Sequence, residues 1–367
     1  MNISLIGNNL TSLLLAKALV NKKIKVTMYY KNKYHIGDNT RTIGISSNNT
    51  EFIQREIIKV NKSLLWSINQ IEIYSKYKEN NKILNFNEPK KNLFYIIKND
   101  ELYQLLYQSL EKNSYFKKVI IKNLKVYDKI IENSYYDLII NCDSKNKISK
   151  KYFSKKIYKD YKSTAYTSII NHEKIKNKKA VQVFTKYGPI AFLPISEKKT
   201  SVVCSIKNDK KKKRLTEDEY KKFILSHNID YKIKNITNFG NFKLEFKVSK
   251  EYFFNKILAF GEVLHHIHPL AGQGFNMTIR DIKILLEIIR NKKSLGLQFD
   301  EIINEDFEAR AKHLNFIFST GIDFIHEFFV FDNRHLKYYS NIILKKLNKN
   351  KLLNKIFINF ADKGIGS

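Results

Sequence analysis

The order of apolar and polar positions opens on a βαβ pattern: an apolar strand Asn2–Ile6, a polar turn, a helix over Leu13–Val20 and a second strand Ile24–Tyr30. A strand covered on both faces reads as a near-continuous apolar run, and Tyr136–Cys142 is a strand of that buried type around Leu138, Ile139 and Ile140, with a shorter one at Ile257–Phe260. Helical spacing recurs in Asn99–Leu110, through Leu102, Leu105, Leu106 and Leu110, and again through Ile279, Ile282, Leu285, Leu286 and Ile289. Between these lie Ala180–Thr185, Gly188–Ile195, Ser201–Ile206 and Asn241–Val248, short runs that predict an antiparallel sheet. Thr216 and Glu219 form a T-x-x-E capping box for a helix through His227. Phe86–Ile97 alternates loosely, Glu301–Phe329 is helical, and Leu336–Phe360 alternates Leu or Ile with Lys. The pattern predicts an α/β protein: a Rossmann-like domain, a β-rich part and a helical C-terminus.

Composition narrows the partners. The 367 residues are 43% hydrophobic, enough for one large or two smaller cores. Lys and Arg number 66 against 35 Asp and Glu, a formal charge of +31. Lysine far outnumbers arginine, the residue suited to bidentate phosphate and base contacts, and no nucleic-acid-reading motif occurs. No nucleic-acid partner is therefore expected, while an anionic surface would still attract the chain. Lys210–Arg214 reads as a solvated loop. Cys142 and Cys204 lie far apart without C-x-x-C spacing, which supports neither a disulfide framework nor a zinc site. No apolar run approaches the roughly 18 residues of a membrane span, and the chain begins in a strand pattern without a signal segment. The expected location is cytoplasmic, with peripheral contact on the inner face of the cytoplasmic membrane as an option.

The chemistry concentrates in Gly261–Asp281, G-E-V-L-H-H-I-H-P-L-A-G-Q-G-F-N-M-T-I-R-D, which runs from strand through loop to helix start. Its loop, with Pro269, Gly272, Gln273 and Gly274, lets backbone N–H groups approach a flat ligand where the helix begins. This string resembles the second flavin-binding motif of the aromatic-ring flavoprotein monooxygenases, in particular the ubiquinone-biosynthesis hydroxylases. Five further segments fall in that family's order. The turn Gly7-Asn8-Asn9-Leu10-Thr11-Ser12 stands where G-x-G-x-x-G would be, with Asn9 and Ser12 at the second and third glycines and Tyr30 near the ribose-binding acid. Arg41, Gly44, Ile45 and Ser46 match the D-x-R box, although Asn39 takes the acid's position. Asn99 begins the N-x-x-L helix. Asp143 keeps the aspartate of the A-D-G-x-x-S-x-x-R box, with Lys147 at the serine and Lys150 at the arginine, or Ser149 as the serine after an insertion. Gly188–Ile195 resembles the strand that lines the substrate side of the flavin.

The resemblance implies non-covalent FAD, reduction by NAD(P)H, and hydroxylation of a prenylated phenol with O2, the chemistry residing in the cofactor. No side-chain nucleophile is required. The cofactor-binding residues it implies are Gly7, Asn9, Ser12, Arg41, Asn99, Asp143, Gly261, Glu262, Pro269, Gly272, Gln273, Gly274 and Asn276. It also implies a discontinuous FAD-binding domain, 1–70 with 96–160 and 250–330, a substrate-binding β domain, 71–95 with 161–249, and a C-terminal segment 331–367. Partners would be the prenylated phenol and proteins of a ubiquinone-biosynthesis complex. His265 and His268 lack companions for a metal ligand set, so no metal is expected. Two other readings stand beside this one: a non-catalytic relative that binds quinol lipids or scaffolds such a complex, and a membrane-surface binding module.

Overall fold

The computed structural model describes residues 1–31, 41–75, 81–88, 91–208, 214–228, 231–268 and 273–330. Pro269, Gly272, Asp38, Asn39, most of the Lys210–Arg214 run and the 331–367 segment fall outside these residues.

The first third of the chain runs β1 (Asn2–Ile6), α1 (Leu10–Asn21), β2 (Lys25–Tyr30), β3 (Thr42–Ser46), α2 (Ser47–Phe52), β4 (Trp66–Ile68), β5 (Gln70–Ser75), β6 (Asn81–Asn87), β7 (Phe94–Lys98) and α3 (Asn99–Glu111). It continues through β8 (Phe116–Ile120), α4 (Lys125–Glu132), β9 (Leu138–Asn141), α5 (Lys147–Tyr152), β10 (Lys156–His172), β11 (Lys179–Thr185), β12 (Gly188–Pro194), β13 (Lys199–Lys207) and α6 (Glu217–Ser226). The last part is β14 (Ile233–Ser249), β15 (Phe253–Phe254), β16 (Ile257–Ala259), β17 (His265–His266), α7 (Gln273–Ser294) and α8 (Ile302–Val330).

A six-stranded sheet, β15-β16-β9-β1-β2-β8, is parallel except at β15. Its central strand β1 has Ile3 and Leu5 fully buried, as expected of a strand with helices on both faces. Helix α1 is apolar nearly all round because it packs on β2, α3 and α7; Leu13, Leu14, Leu15 and Leu19 are all fully buried. Burying each such side chain stabilises by roughly 1.5–3 kcal/mol. An eight-stranded sheet, β17-β14-β10-β13-β12-β11-β5-β6, forms the second layer system. It is antiparallel as expected except for the parallel pair β11–β5, because β5 arrives from the N-terminal third of the chain. A small sheet β3-β7-β4 links the two; Thr42 Oγ1 donates to Ser201 Oγ at 3.0 Å. The capping box of α6 is present in full.

Candidate functional site: two clefts that meet at the sheet edge

The C-terminal ends of β1, β2 and β9 open on a cleft of about 850 Å³, lined by Gly7, Asn8, Asn9, Tyr30, Asp143 and a group of lysines. A second cleft, about 650 Å³, lies between this edge and the eight-stranded sheet, against Arg41, Lys156, Phe242, Glu262 and His266. The edge where parallel strands diverge is where open α/β sheets take their ligands.

At the N-terminal turn, Gly7 has φ +139° and a Cβ there would stand 2.7 Å from Ser12 Oγ. Asn9 is the N-cap of α1: its Oδ1 accepts from Ser12 N at 2.9 Å and Ser12 Oγ at 2.8 Å, and its Nδ2 donates to the Cys142 carbonyl at 2.9 Å. The helix therefore begins at Leu10, three residues earlier than its apolar spacing predicts, and Ser12 is a buried helix residue rather than part of the turn. Both side chains expected at the ligand have their polar atoms engaged within the protein. Tyr30 does border the first cleft, with the Lys118 ammonium 4.4 Å from its ring centre and equally 4.4 Å from that of Tyr107. Burial pulls the Lys118 pKa down.

After β9, Asp143 Oδ1 accepts from Lys145 N at 2.8 Å. Of the two candidates for the family's serine, Ser149 is the one bound into this turn: it donates to the Asp143 carbonyl at 2.6 Å and accepts from Asn141 Nδ2 at 2.8 Å. Lys147 points elsewhere and pairs with Asp128 at 2.9 Å. The sequence LIINCDSKNKISKKYF hides this because Asn146 caps α5, placing Ser149 in the first turn of a short helix that a lysine-rich stretch does not announce. The Cys142 thiol is buried and pushed far up by desolvation, so it stays protonated.

On the other side, Gly261 has φ +60° and a Cβ there would lie 2.7 Å from Thr11 Cγ2, so this glycine serves the packing of α1. Glu262 is exposed in the second cleft. Arg41 stacks its guanidinium 5.2 Å from the centre of the Phe242 ring, has no carboxylate partner among the described residues, and accepts from Asn99 N on its carbonyl at 2.9 Å. His265 Nε2 and Asp281 Oδ2 are 2.8 Å apart in the interior, and Asn315 donates to the other oxygen of Asp281 at 2.8 Å. This network fastens the strand before the loop to α7 and α8. His266, the next residue along a strand, faces the opposite way into the second cleft, and burial lowers its pKa. The H-x-x-H spacing directs attention to His265 and His268 and past His266; strand alternation was the signal that singles it out.

Helix α7 starts at Gln273, so Gly274 lies within its first turn. Asn276 is wholly engaged: its Oδ1 accepts from Ser46 N and Asn49 Nδ2, each at 2.9 Å, and its Nδ2 donates to the Gly44 carbonyl at 2.8 Å. It ties the D-x-R box to α7. Two observations suit a ligand at this helix start. Gln273 Oε1 is buried with no hydrogen-bond partner among the described residues. At Gly274 a Cβ would meet, among the described residues, only Ile267 Cγ1, at an ordinary 3.6 Å, so their packing does not demand glycine there. The positive dipole end of a helix fits the electron-rich edge of a flavin ring.

The class these features define is an FAD-binding α/β protein with a second, largely antiparallel sheet. Residues 140–291 match the family model of the FAD binding domain. In sequence the chain is similar to ubiquinone hydroxylases over part of its length. The 3-demethoxyubiquinol 3-hydroxylase of Escherichia coli (strain K12) is 26% identical over 185 residues, covering 49% of this chain and 47% of that one. Ubiquinone hydroxylase UbiL of Rhodospirillum rubrum is 27% identical over 141 residues, covering 37% of this chain and 33% of that one. These matches thus span about half or less of the relatives' length. Among solved structures, Klebsiella pneumoniae HpxO complexed with FAD and uric acid shares the fold, with a TM-score of 0.74 at 11% identity, over 100% of this chain and 96% of that one.

Proposed function

We propose that this chain is an FAD-dependent monooxygenase that hydroxylates a prenylated phenol in ubiquinone biosynthesis, with NAD(P)H and O2 as co-substrates. The reading is carried by the start of α7, where packing among the described residues does not require a glycine at Gly274 and Gln273 Oε1 is buried without a partner among them. The relatives named for ubiquinone hydroxylation support the substrate class. When bound, FAD would supply the redox chemistry, taking a hydride from NAD(P)H and delivering one oxygen atom of O2. The α7 start would stabilise negative charge on the ring edge. Gly7 and Asn8 would lie along the nucleotide end, and Phe242 with Arg41 would bound the second cleft. His266, kept neutral by burial, would accept the phenol proton on its imidazole. The test is incorporation of labelled oxygen from O2 into a prenylated phenol, followed by mass spectrometry with FAD and NAD(P)H present; an FAD-bound chain that gives no labelled product rejects the reading.

The engagement of Asn9 and Ser12 within the protein favours one second reading, a non-catalytic relative that binds quinol lipids or scaffolds the biosynthetic proteins. A purified chain that is colourless and does not take up FAD selects it.

A further inference from the structure

The two clefts share two residues, Lys145 and Lys150, and both side chains are exposed. A ligand occupying both clefts must pass between or beside them. Three other cations of the clefts are compensated, Lys147 by Asp128 at 2.9 Å, Lys243 by Asp160 and Glu245 at 3.0 Å each, and Lys247 by Glu245, while Arg41 and Lys156 line only the second cleft and Lys31 and Lys151 only the first. Lys145 and Lys150 have no carboxylate partner among the described residues. The N-terminal turn, meanwhile, has its Asn9 side chain on Ser12 and Cys142, and the Ser12 amide is already capped by Asn9 Oδ1, which leaves that helix start fewer donors for an anion.

Resting on the reading that the joined clefts hold FAD, we infer that Lys145 and Lys150 hold its diphosphate, taking over the task that a glycine-rich turn performs elsewhere. The match is one of position and charge. In an extended FAD molecule the diphosphate lies between the flavin and adenosine ends, and in the joined cleft the uncompensated ammonium groups lie between the sheet-edge end and the His266 end. Lysine binds phosphate as a point charge, without the backbone approach that glycine provides. The grip is therefore electrostatic and screened by salt, where a backbone cradle would be largely indifferent to it.

The experiment titrates the full chain with FAD and, separately, with riboflavin, which lacks the diphosphate, following flavin fluorescence at low and high salt. The Lys145→Gln/Lys150→Gln variant should weaken FAD roughly tenfold or more, as for the loss of charge-assisted hydrogen bonds, with riboflavin affinity unchanged and the salt dependence of FAD binding flattened. Lys145→Arg/Lys150→Arg should restore FAD binding. Lys147→Gln/Lys151→Gln removes the same charge from the same cleft and should cost less; an equal loss would mean that only the general field acts, and overturns the inference. Unchanged FAD affinity in Lys145→Gln/Lys150→Gln, beside a wild type that binds FAD, overturns the inference alone. A wild type that binds no FAD overturns the flavin reading and this inference together.

Discussion

Gly274 separates a residue's structural task from its ligand-binding one. Among the described residues an added Cβ there touches only Ile267, at 3.6 Å, and the backbone is ordinary helix, so Gly274→Ala should hold or raise the stability of the free chain by up to about 1 kcal/mol. The same methyl group would stand where a flavin edge approaches, and FAD affinity should fall. Thermal unfolding of the free chain and an FAD titration read the two effects separately; undiminished FAD affinity would remove the α7 start from the site. Gly261 is the opposite case. Its φ of +60° and the 2.7 Å approach of a Cβ to Thr11 predict that Gly261→Ala destabilises the fold itself by about 1–3 kcal/mol. Thr11→Ser should recover part of that loss by removing the methyl group, and denaturant unfolding of the pair checks it. His266 adds a pH signature. Burial, aided by Lys247 and Arg41 and opposed by Glu262 and Glu245, lowers its pKa from the ordinary 6.5. Below 6.5 the unfolded chain binds a proton that the folded chain resists, so this group makes stability fall as pH drops from 6.5 toward the lowered folded value; above 6.5 it is neutral in both states and contributes no slope. His266→Gln should flatten the melting-temperature profile between about pH 5 and 7.

At the scale of elements, the start of α1 sets stability against ligand access. Replacing Asn9 and Ser12 with Gly and Tyr30 with Glu would restore the family's turn and ribose acid, and should tighten FAD by about 1 kcal/mol or more through regained hydrogen bonds. Asn9, however, is the N-cap and binds the Cys142 carbonyl, so the change should also cost the fold about 1 kcal/mol or more. Opposite shifts in dissociation constant and melting temperature are the expected result; an FAD affinity that stays put would mean the turn takes no part in holding the nucleotide. This balance explains what the sequence made legible. Strands β1, β2 and β9 and the long spacing of α3 and α7 are readable because burial on both faces or on one stripe writes itself into apolar order. The small sheet β3-β7-β4, the parallel β11–β5 pair and the short helices α4 and α5 are not, since they depend on distant partners or on caps such as Asn146. At the site, a motif template names positions without saying where a side chain points. Asn276 and Ser12 occupy motif positions yet are engaged inside, whereas Lys145 and His266 face the clefts from positions no template marks.

For the whole molecule, the excess charge of +31 and, on the proposed function, the lipid partition of prenylated phenols lead to the same interface. No helix among the described residues is long and apolar enough to cross a membrane. Much of the described charge is held in ion pairs, as with Lys159 between Asp323 and Glu327, or Lys22 on Glu56, but the cations exceed the available carboxylates nearly two to one. An anionic surface attracts each nearby basic residue by about 1 kcal/mol, and the attraction decays within a Debye length of about 10 Å at 0.1 M salt. Residues 336–360 alternate Leu or Ile with Lys, a composition that offers apolar insertion together with charge. The chain should therefore sediment with anionic vesicles and not with neutral ones, the bound fraction should fall steeply as salt rises, and removing the residues after Arg334 should weaken binding while FAD uptake survives. Equal binding to both kinds of vesicle, or to neither, would make the positive charge a feature of composition and assign delivery of the lipid substrate to a soluble carrier or partner protein.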